Sequence, residues 1–443
     1  MFDTLGLSRL YSIIIITIVV VAAVSGGAAY VLLSNQKESS ETIKIGILAD
    51  LDAPFGSTIW KSVVLAAEQL NKEGGIIGKQ VEVVGEDSDD ETASNVLTIN
   101  SALTRLLTYH NVDYVLGPAS TAETGFMVQD TIAEHKKILI SYNAVIEDLN
   151  QRVTDDYDTY KYFFKYYPGN NTQIFTALID ELLHARDIMG FNKIGYLAGD
   201  SSYWKGITAG LDNLLPDVYG FDLVYRGTFP LETLDFSSYF AAAEAAGVEI
   251  LVPFIGLDNG IALVKEYNER QSPMVVYGGM LSAAGVLESW ERTDNKCEYI
   301  SALMLPMTVG YPLTNKTLPF RDSYIDRWGE TPNHVGAAAY DIIRFILFDV
   351  LERAGTTETE AVIKALETTQ VETSMARNFA FTSNHDVLYG KGMLSNPDDY
   401  GFIASLFQWQ QDGSLVPVYP KWLMEEAGAT YTFPDWPGPW DNP

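Results

Sequence analysis

The chain has 443 residues, 47% hydrophobic and 20% charged, a balance that suits a globular protein with a full core and excludes a disordered one. With 29 Lys and Arg against 58 Asp and Glu, the formal charge of −29 argues against nucleic acid or anionic lipid as the main partner, since both need a basic patch. Cys297 is the single cysteine and the five histidines are scattered, so neither an intramolecular disulfide nor a metal site nor any cofactor is expected.

In chain order, residues 10–35 carry no charge and are almost wholly apolar. At about 1.5 Å rise per residue, roughly 20 residues cross a ~30 Å hydrocarbon layer, so this run is long enough for one transmembrane helix. Residues 1–9 then form a short cytoplasmic N-terminus, 10–36 the anchor or signal segment, and 37–42 a polar linker. The small residues of 25–29 leave cleavage open. Uncleaved, the helix places the protein in the cell membrane as a single N-terminal pass, with its large acidic domain outside the cytoplasm. Asn170-Asn171-Thr172 and Asn315-Lys316-Thr317 fit the glycosylation triplet.

Beyond the linker, strand-like runs alternate with helix-like ones to about residue 370. Residues 43–49 and 81–84 read as strands, 60–71 and 95–108 as helices. Next comes VDYVLGPAST (112–121): a short apolar strand, a stop at Gly117-Pro118, and two hydroxyls, Ser120 and Thr121, opening a helix to about Glu134. Such a terminus is an ordinary cap, or it is a site for a carboxylate, because unpaired N–H groups and the helix dipole both favour negative charge. Strands that alternate with helices of this length predict an α/β fold of parallel sheets covered on both faces.

An internal echo suggests two similar lobes. KIGILAD (44–50) recurs as KIGYLAGD (193–200), and VDYVL (112–116) has a counterpart in VEILV (248–252). A ligand would then sit between two doubly wound, Rossmann-like halves, facing the strand ends of both. Trp60 near the start of the first helix, and Tyr203 with Trp204 at the corresponding place, are aromatics that either close on a ligand or pack on the lobe surface. Later, 319–328, 335–351 and 358–366 read as helices, and 379–381 and 400–409 as strands, with Asp412-Gly413 turning into 415–418.

No G-x-S-x-G elbow, P-loop or G-x-G-x-x-G follows any strand, so nothing calls for an enzyme. At this point the chain resembles the type I periplasmic binding proteins of ABC transporters, in the leucine/isoleucine/valine-binding branch. The marks are AAEQLNKEGGIIGK (66–79), Gly117-Pro118 with a hydroxyl four residues beyond the glycine, Asp200-x-x-Tyr203, Ala339-Tyr340-Asp341, Phe381-x-x-x-His385-Asp386, and Gln408-Trp409 with Tyr419-Pro420.

The resemblance implies two lobes joined by three crossovers, here 43–166 with 303–372 and 167–302 with 373–424, followed by a Pro/aromatic-rich tail over 425–443. It implies a small-molecule solute and permease subunits as partners, with capture of a branched-chain or other amino acid, or a related carboxylate or amide. The alternative is the ligand-binding ectodomain of a sensor complex. By position, Thr121 with Ser120 beside it would hold a ligand carboxylate, and Asn143 would offer a backbone carbonyl to an ammonium. Val145 replaces a threonine, leaving its N–H; Tyr203 would close from the second lobe, and Trp60 approximates an aromatic near the first helix. Met280 departs from the pattern, standing where amino-acid binders of the family carry an acid for the α-ammonium. A thioether cannot pair that charge. Either another carboxylate substitutes, Asp258 or Glu123, or the ligand has no ammonium.

Overall fold

Strands that are buried almost end to end lie in sheets covered on both faces, and their alternation with helices dictates parallel pairing. The computed structural model describes residues 42–441 apart from 89–95, 119–121, 145, 167–170, 282–286, 390–395, 397–398, 400 and 403–404, and it meets that expectation twice. In the first lobe β1 (Ile43–Ala49), β2 (Val81–Asp87), β3 (Tyr114–Gly117), β4 (Ile138–Ser141) and β5 (Phe163–Lys165) pair in parallel in the order β2-β1-β3-β4-β5. In the second, β6 (Lys193–Gly199) lies between β7 (Asp222–Phe229) and β8 (Ile250–Ile255), and both β9 (Val275–Val276) and β10 (Met280–Leu281) pair with β8. Thus β1 and β6, the strands whose sequences echo each other, hold equivalent places between two parallel neighbours. Alternation of side chains across the sheet explains the double cover. Along β8, Leu251 and Ile255 enter one core cluster while Ile250, Val252 and Phe254 enter another.

A third, antiparallel sheet joins β11 (Ser301–Leu303), β12 (Leu406–Trp409) and β13 (Leu415–Tyr419). Its hairpin turns at Gly413, whose φ of +79° favours glycine and where an added Cβ would lie 2.8 Å from the Trp290 ring.

The core clusters reveal how the chain divides. The first draws on residues 43–166, 307–366 and 375–402, and the other two on 178–304 and 406–436 together with Leu313. The described chain therefore passes between lobes after Tyr166, after Met304 and after Phe402, with a further local excursion into the second lobe's core at Leu313. The expectation that 373–424 belong wholly to the second lobe is corrected here. Phe379 and Phe381 pack edge-on against Tyr166 and Phe164 at 4.7 and 5.0 Å, so apolar contact keeps this stretch in the first lobe until Leu406. Phe379 and Phe381 make isolated bridges to Val371 and Val387 and not a strand. The helix expected over 335–351 is broken into His334–Asp341, a π-helical turn Ile342–Leu347, and Phe348–Ala354. The first helix starts at Pro54, earlier than expected, because proline suits the first turn, and it ends at Gly74 with φ +112°.

Where the chain leaves the first lobe, Tyr166 donates its O–H to Asp341 Oδ2 at 2.7 Å, and the Ser374 N–H reaches both Asp341 oxygens at 3.1 Å. Arg377 ties the lobes together: it donates to the Leu313 carbonyl at 3.0 Å, lies 4.9 Å over the Trp422 ring and pairs with Glu426 at 2.8 Å. The hydroxyl of Thr317, from the second glycosylation triplet, is buried and donates to the Ser374 carbonyl at 2.8 Å, while Asn170 of the first lies outside the described residues. In the tail, Trp436 is buried and donates its ring N–H to the Ser272 carbonyl at 3.0 Å. The expected membrane anchor also lies outside the described residues, among which no helix is long and apolar enough to cross a membrane.

One buried acid sits under the turn that leads into β10. Glu181, on the helix Asn171–Met189, is 4% exposed, and an added Cβ on Gly278 would lie 2.9 Å from its Oε2. Burial and the nearby Asp180 push its carboxyl up to about 8, against the opposing hydrogen bond from the Gly279 backbone. Its folded value is above its unfolded one, so its stabilising contribution is complete below about pH 4.5 and is lost as pH rises through 8. Glu181→Gln, isosteric with the protonated acid, should match the wild type near pH 5 and exceed it by roughly 1–3 kcal/mol near pH 8.5. Urea unfolding at the two pH values measures this, and equal differences at both would contradict it.

Candidate functional site

Ligands of open α/β sheets bind beyond the carboxyl ends of the strands. In the first lobe the ends of β1 and β4 open onto a recess of about 80 Å³ lined by Asp50, Phe55, Ile59, Tyr142, Asn143, His334 and Val335. Each is placed by local backbone chemistry. Asp50 follows β1 directly, and its carbonyl accepts the Ala53 N–H at 3.2 Å. A Cβ on Gly56 would lie 1.7 Å from that carbonyl oxygen, so only glycine lets the first turn of the helix Pro54–Glu73 pack onto the strand end. Phe55 and Ile59, four apart on one helix face, thereby reach the recess together.

Tyr142 donates its buried O–H to the Leu48 carbonyl at 2.7 Å, which fixes the end of β4 relative to β1. The Asn143 N–H donates to Ser141 Oγ at 3.3 Å. His334 and Val335 arrive from the helix His334–Asp341, whose start is capped by Asn333 Oδ1 accepting the Gly336 N–H at 2.9 Å. The His334 ring stands edge-on to Phe55 at 5.7 Å between centroids. Burial alone pushes its imidazole down to about 4, so it is neutral near pH 7. The described lining thus holds one carboxylate, an amide, a phenol, a neutral imidazole and apolar surface, but no Lys or Arg.

In the second lobe, helices likewise start at strand ends. Ser201 caps the helix Ser202–Asp217 by accepting the Trp204 N–H at 3.3 Å, and the Trp204 ring is tilted against Phe254 at 5.6 Å. Met280 is partly exposed on β10, in register with Phe254.

Of the residues expected from sequence, Asn143 lines the recess. Trp60 does not: its ring lies over β2, where a Cβ on Gly85 would come within 2.9 Å of it, and Phe55 and Ile59 reach the recess in its place. Ser120, Thr121 and Val145 lie outside the described residues. Tyr203 and Asp258 fall in the first turns of the helices Ser202–Asp217 and Leu257–Arg270, with their side chains outside the description, as is that of Glu123 in Ala122–His135. Asp50, Phe55, Tyr142 and His334 line the recess without belonging to any of the sequence motifs that mark a site. Pro54 after a strand was the available signal for the first two; His334 had none.

The Asn71–Lys79 motif turns out to be structural. The Asn71 side chain exchanges hydrogen bonds of 2.8 and 2.7 Å with the Val81 backbone, and a Cβ on Gly75 (φ +83°) would strike the Lys79 carbonyl at 1.8 Å.

The sequence profile described as "Periplasmic binding protein" matches residues 42–389. The Leu/Ile/Val-binding protein homolog 7 of Brucella suis is 23% identical over 412 residues, which cover 88% of this chain and 94% of that one. A solved structure from Silicibacter pomeroyi, assigned to branched-chain amino acid ABC transport, superposes with a TM-score of 0.75 at 18% identity, covering 90% of this chain and all (100%) of the other. The substrate-binding protein LivJ of Streptococcus pneumoniae, solved with isoleucine, gives a TM-score of 0.62 at 20% identity, covering 85% and 100%. A solute-binding protein from R. palustris, solved with benzoate, gives 0.61 at 15% identity, covering 86% and 97%.

The depressed folded value of His334 makes a prediction of sign. The unfolded chain binds a proton near pH 6.5 and the folded chain resists it down to about 4, so stability is lost as pH falls through that window. His334→Gln should flatten this part of the pH–stability profile, as read from melting temperatures between pH 4 and 7. A slope equal to that of the wild type would contradict the assignment.

Proposed function

The chain belongs to the periplasmic binding protein family, and from that premise we propose that it is an extracytoplasmic solute-binding protein that captures a small organic solute between its lobes and delivers it to the permease of an ABC importer. The observation that carries this reading is the recess at the carboxyl ends of β1 and β4, with an aromatic and a few polar groups converging on it. The chain's repeated passage between lobes supports closure as the means of capture, because short connections let two bodies swing about one region. Ligand that touches both lobes binds the closed form better and shifts the population toward it.

On this reading the solute is a branched-chain or other amino acid, or a related carboxylate or amide. Ser120 and Thr121 hold its negative end, Asn143 and the Val145 N–H add polar contacts, and Tyr203 closes from the second lobe with Asp258 and Met280 nearby. The neighbours solved with isoleucine and with benzoate represent the two ligand types, with and without an ammonium. The apolar run of residues 10–35 holds the protein at the cell membrane, with the binding domain outside.

Thermal-shift screening of the purified protein against amino acids, short carboxylic acids and amides tests the proposal. A ligand at about 100 times its Kd adds roughly 2.7 kcal/mol to stability and raises the melting temperature. Thr121→Ala should weaken the response at least tenfold, and an unchanged response would remove Thr121 from the site. No shift with any compound would count against the binding function itself.

A further inference from the structure

Met280, partly exposed on β10 of the second lobe, offers a thioether and no charge. The first-lobe recess does carry one. Asp50 is 5% exposed, and it is the single carboxylate among the described lining residues. We propose that Asp50 is the anionic partner of a primary ammonium on the ligand, seated in the recess with Asn143 and Phe55. This rests on the solute-binding reading and names the solute class: molecules bearing an amine, amino acids included.

Five features of the molecule support it. Coulombic attraction grows as water is excluded, so a mostly buried carboxylate at the base of a recess discriminates a cation from its neutral isostere better than an exposed one. The recess of about 80 Å³ has room for an ammonium with one or two carbons, given the ~30 Å³ share of a water molecule. Phe55, 47% exposed, lies beside it as an aromatic surface of the kind that attracts cations, and Asn143 adds amide and backbone oxygens as acceptors. Nothing among the described lining repels a cation, since His334 is neutral near pH 7, and the net charge of −29 draws cationic groups toward the protein. The site is also held in place before ligand arrives. The Asp50 carbonyl accepts the Ala53 N–H at 3.2 Å, and the missing side chain of Gly56 lets the helix start lock against it.

The test uses matched probes: leucine with isocaproate and isoamylamine, and phenylalanine with hydrocinnamate and phenethylamine, titrated calorimetrically into the full chain. The wild type should bind an amine-bearing member of a set at least tenfold more tightly than its des-amino counterpart. Asp50→Asn should abolish that preference while leaving the des-amino affinity within about threefold, and Asp50→Glu, which keeps the charge, should restore most of it. A wild type that favours the des-amino members overturns the assignment, a result read without any variant. So does a folded Asp50→Asn protein that keeps the amine preference. If no probe binds the wild type while the thermal-shift screen finds a ligand without an amine, the assignment falls and the solute-binding reading stands.

Discussion

A carboxylate with no exposure to water organises the junction of this molecule. Asp341 accepts hydrogen bonds from the Tyr166 hydroxyl and the Ser374 N–H, and Thr373 shares the same tyrosine at 2.8 Å. Burial pushes the acid up to about 6 while these donors oppose the shift. A buried carboxylate is tolerable only with its donors in place, so the three segments that supply them are held in one geometry. Tyr166 is the last described residue before the chain first leaves the lobe, and Thr314, just after the second passage, donates to the Thr373 carbonyl at 2.8 Å. The crossings therefore converge on a rigid point, and Arg377, with its contacts to Leu313, Trp422 and Glu426, extends that point into the second lobe.

From that junction the two lobes present the same end of the same architecture. Parallel strands put all their carboxyl ends on one side, and helices that return the chain begin there. The first lobe turns this into a recess by close approach. Glycine at 56 seats a helix start on the end of β1, and Gly336 does the same between helices, where a Cβ would lie 2.5 Å from Thr58. The result brings Asp50, Phe55 and His334 together from segments nearly 300 residues apart in sequence. The second lobe uses its buried acids differently: Glu181 supports a turn from below, out of reach of solvent, and the strand beyond that turn shows a thioether and no charge.

The elements that the sequence made legible are those whose signal is local. The apolar runs of β1, β6 and β8, the prolines and glycines that stop them, and the Asp412-Gly413 hairpin are all decided within a few residues. The echo between residues 44–50 and 193–200 also held, because a central parallel strand buried on both faces tolerates only such apolar composition. Elsewhere packing overrides local preference. Phe379 and Phe381 look like a strand but are held by rings of Phe164 and Tyr166, and the division of the chain between lobes shifted with them.

The sequence by itself determined the α/β class, the doubling of the lobe and the family, since periodicity, turn chemistry and motif order all survive in one dimension. Only the tertiary structure decided which aromatics line the recess, Phe55 and not Trp60, and that Asp50 and His334 line it together. The reason is physical. A residue's neighbours across a cleft are set by how helices pack on strand ends, a contact made between distant segments, and no local pattern of hydrophobicity or charge encodes it.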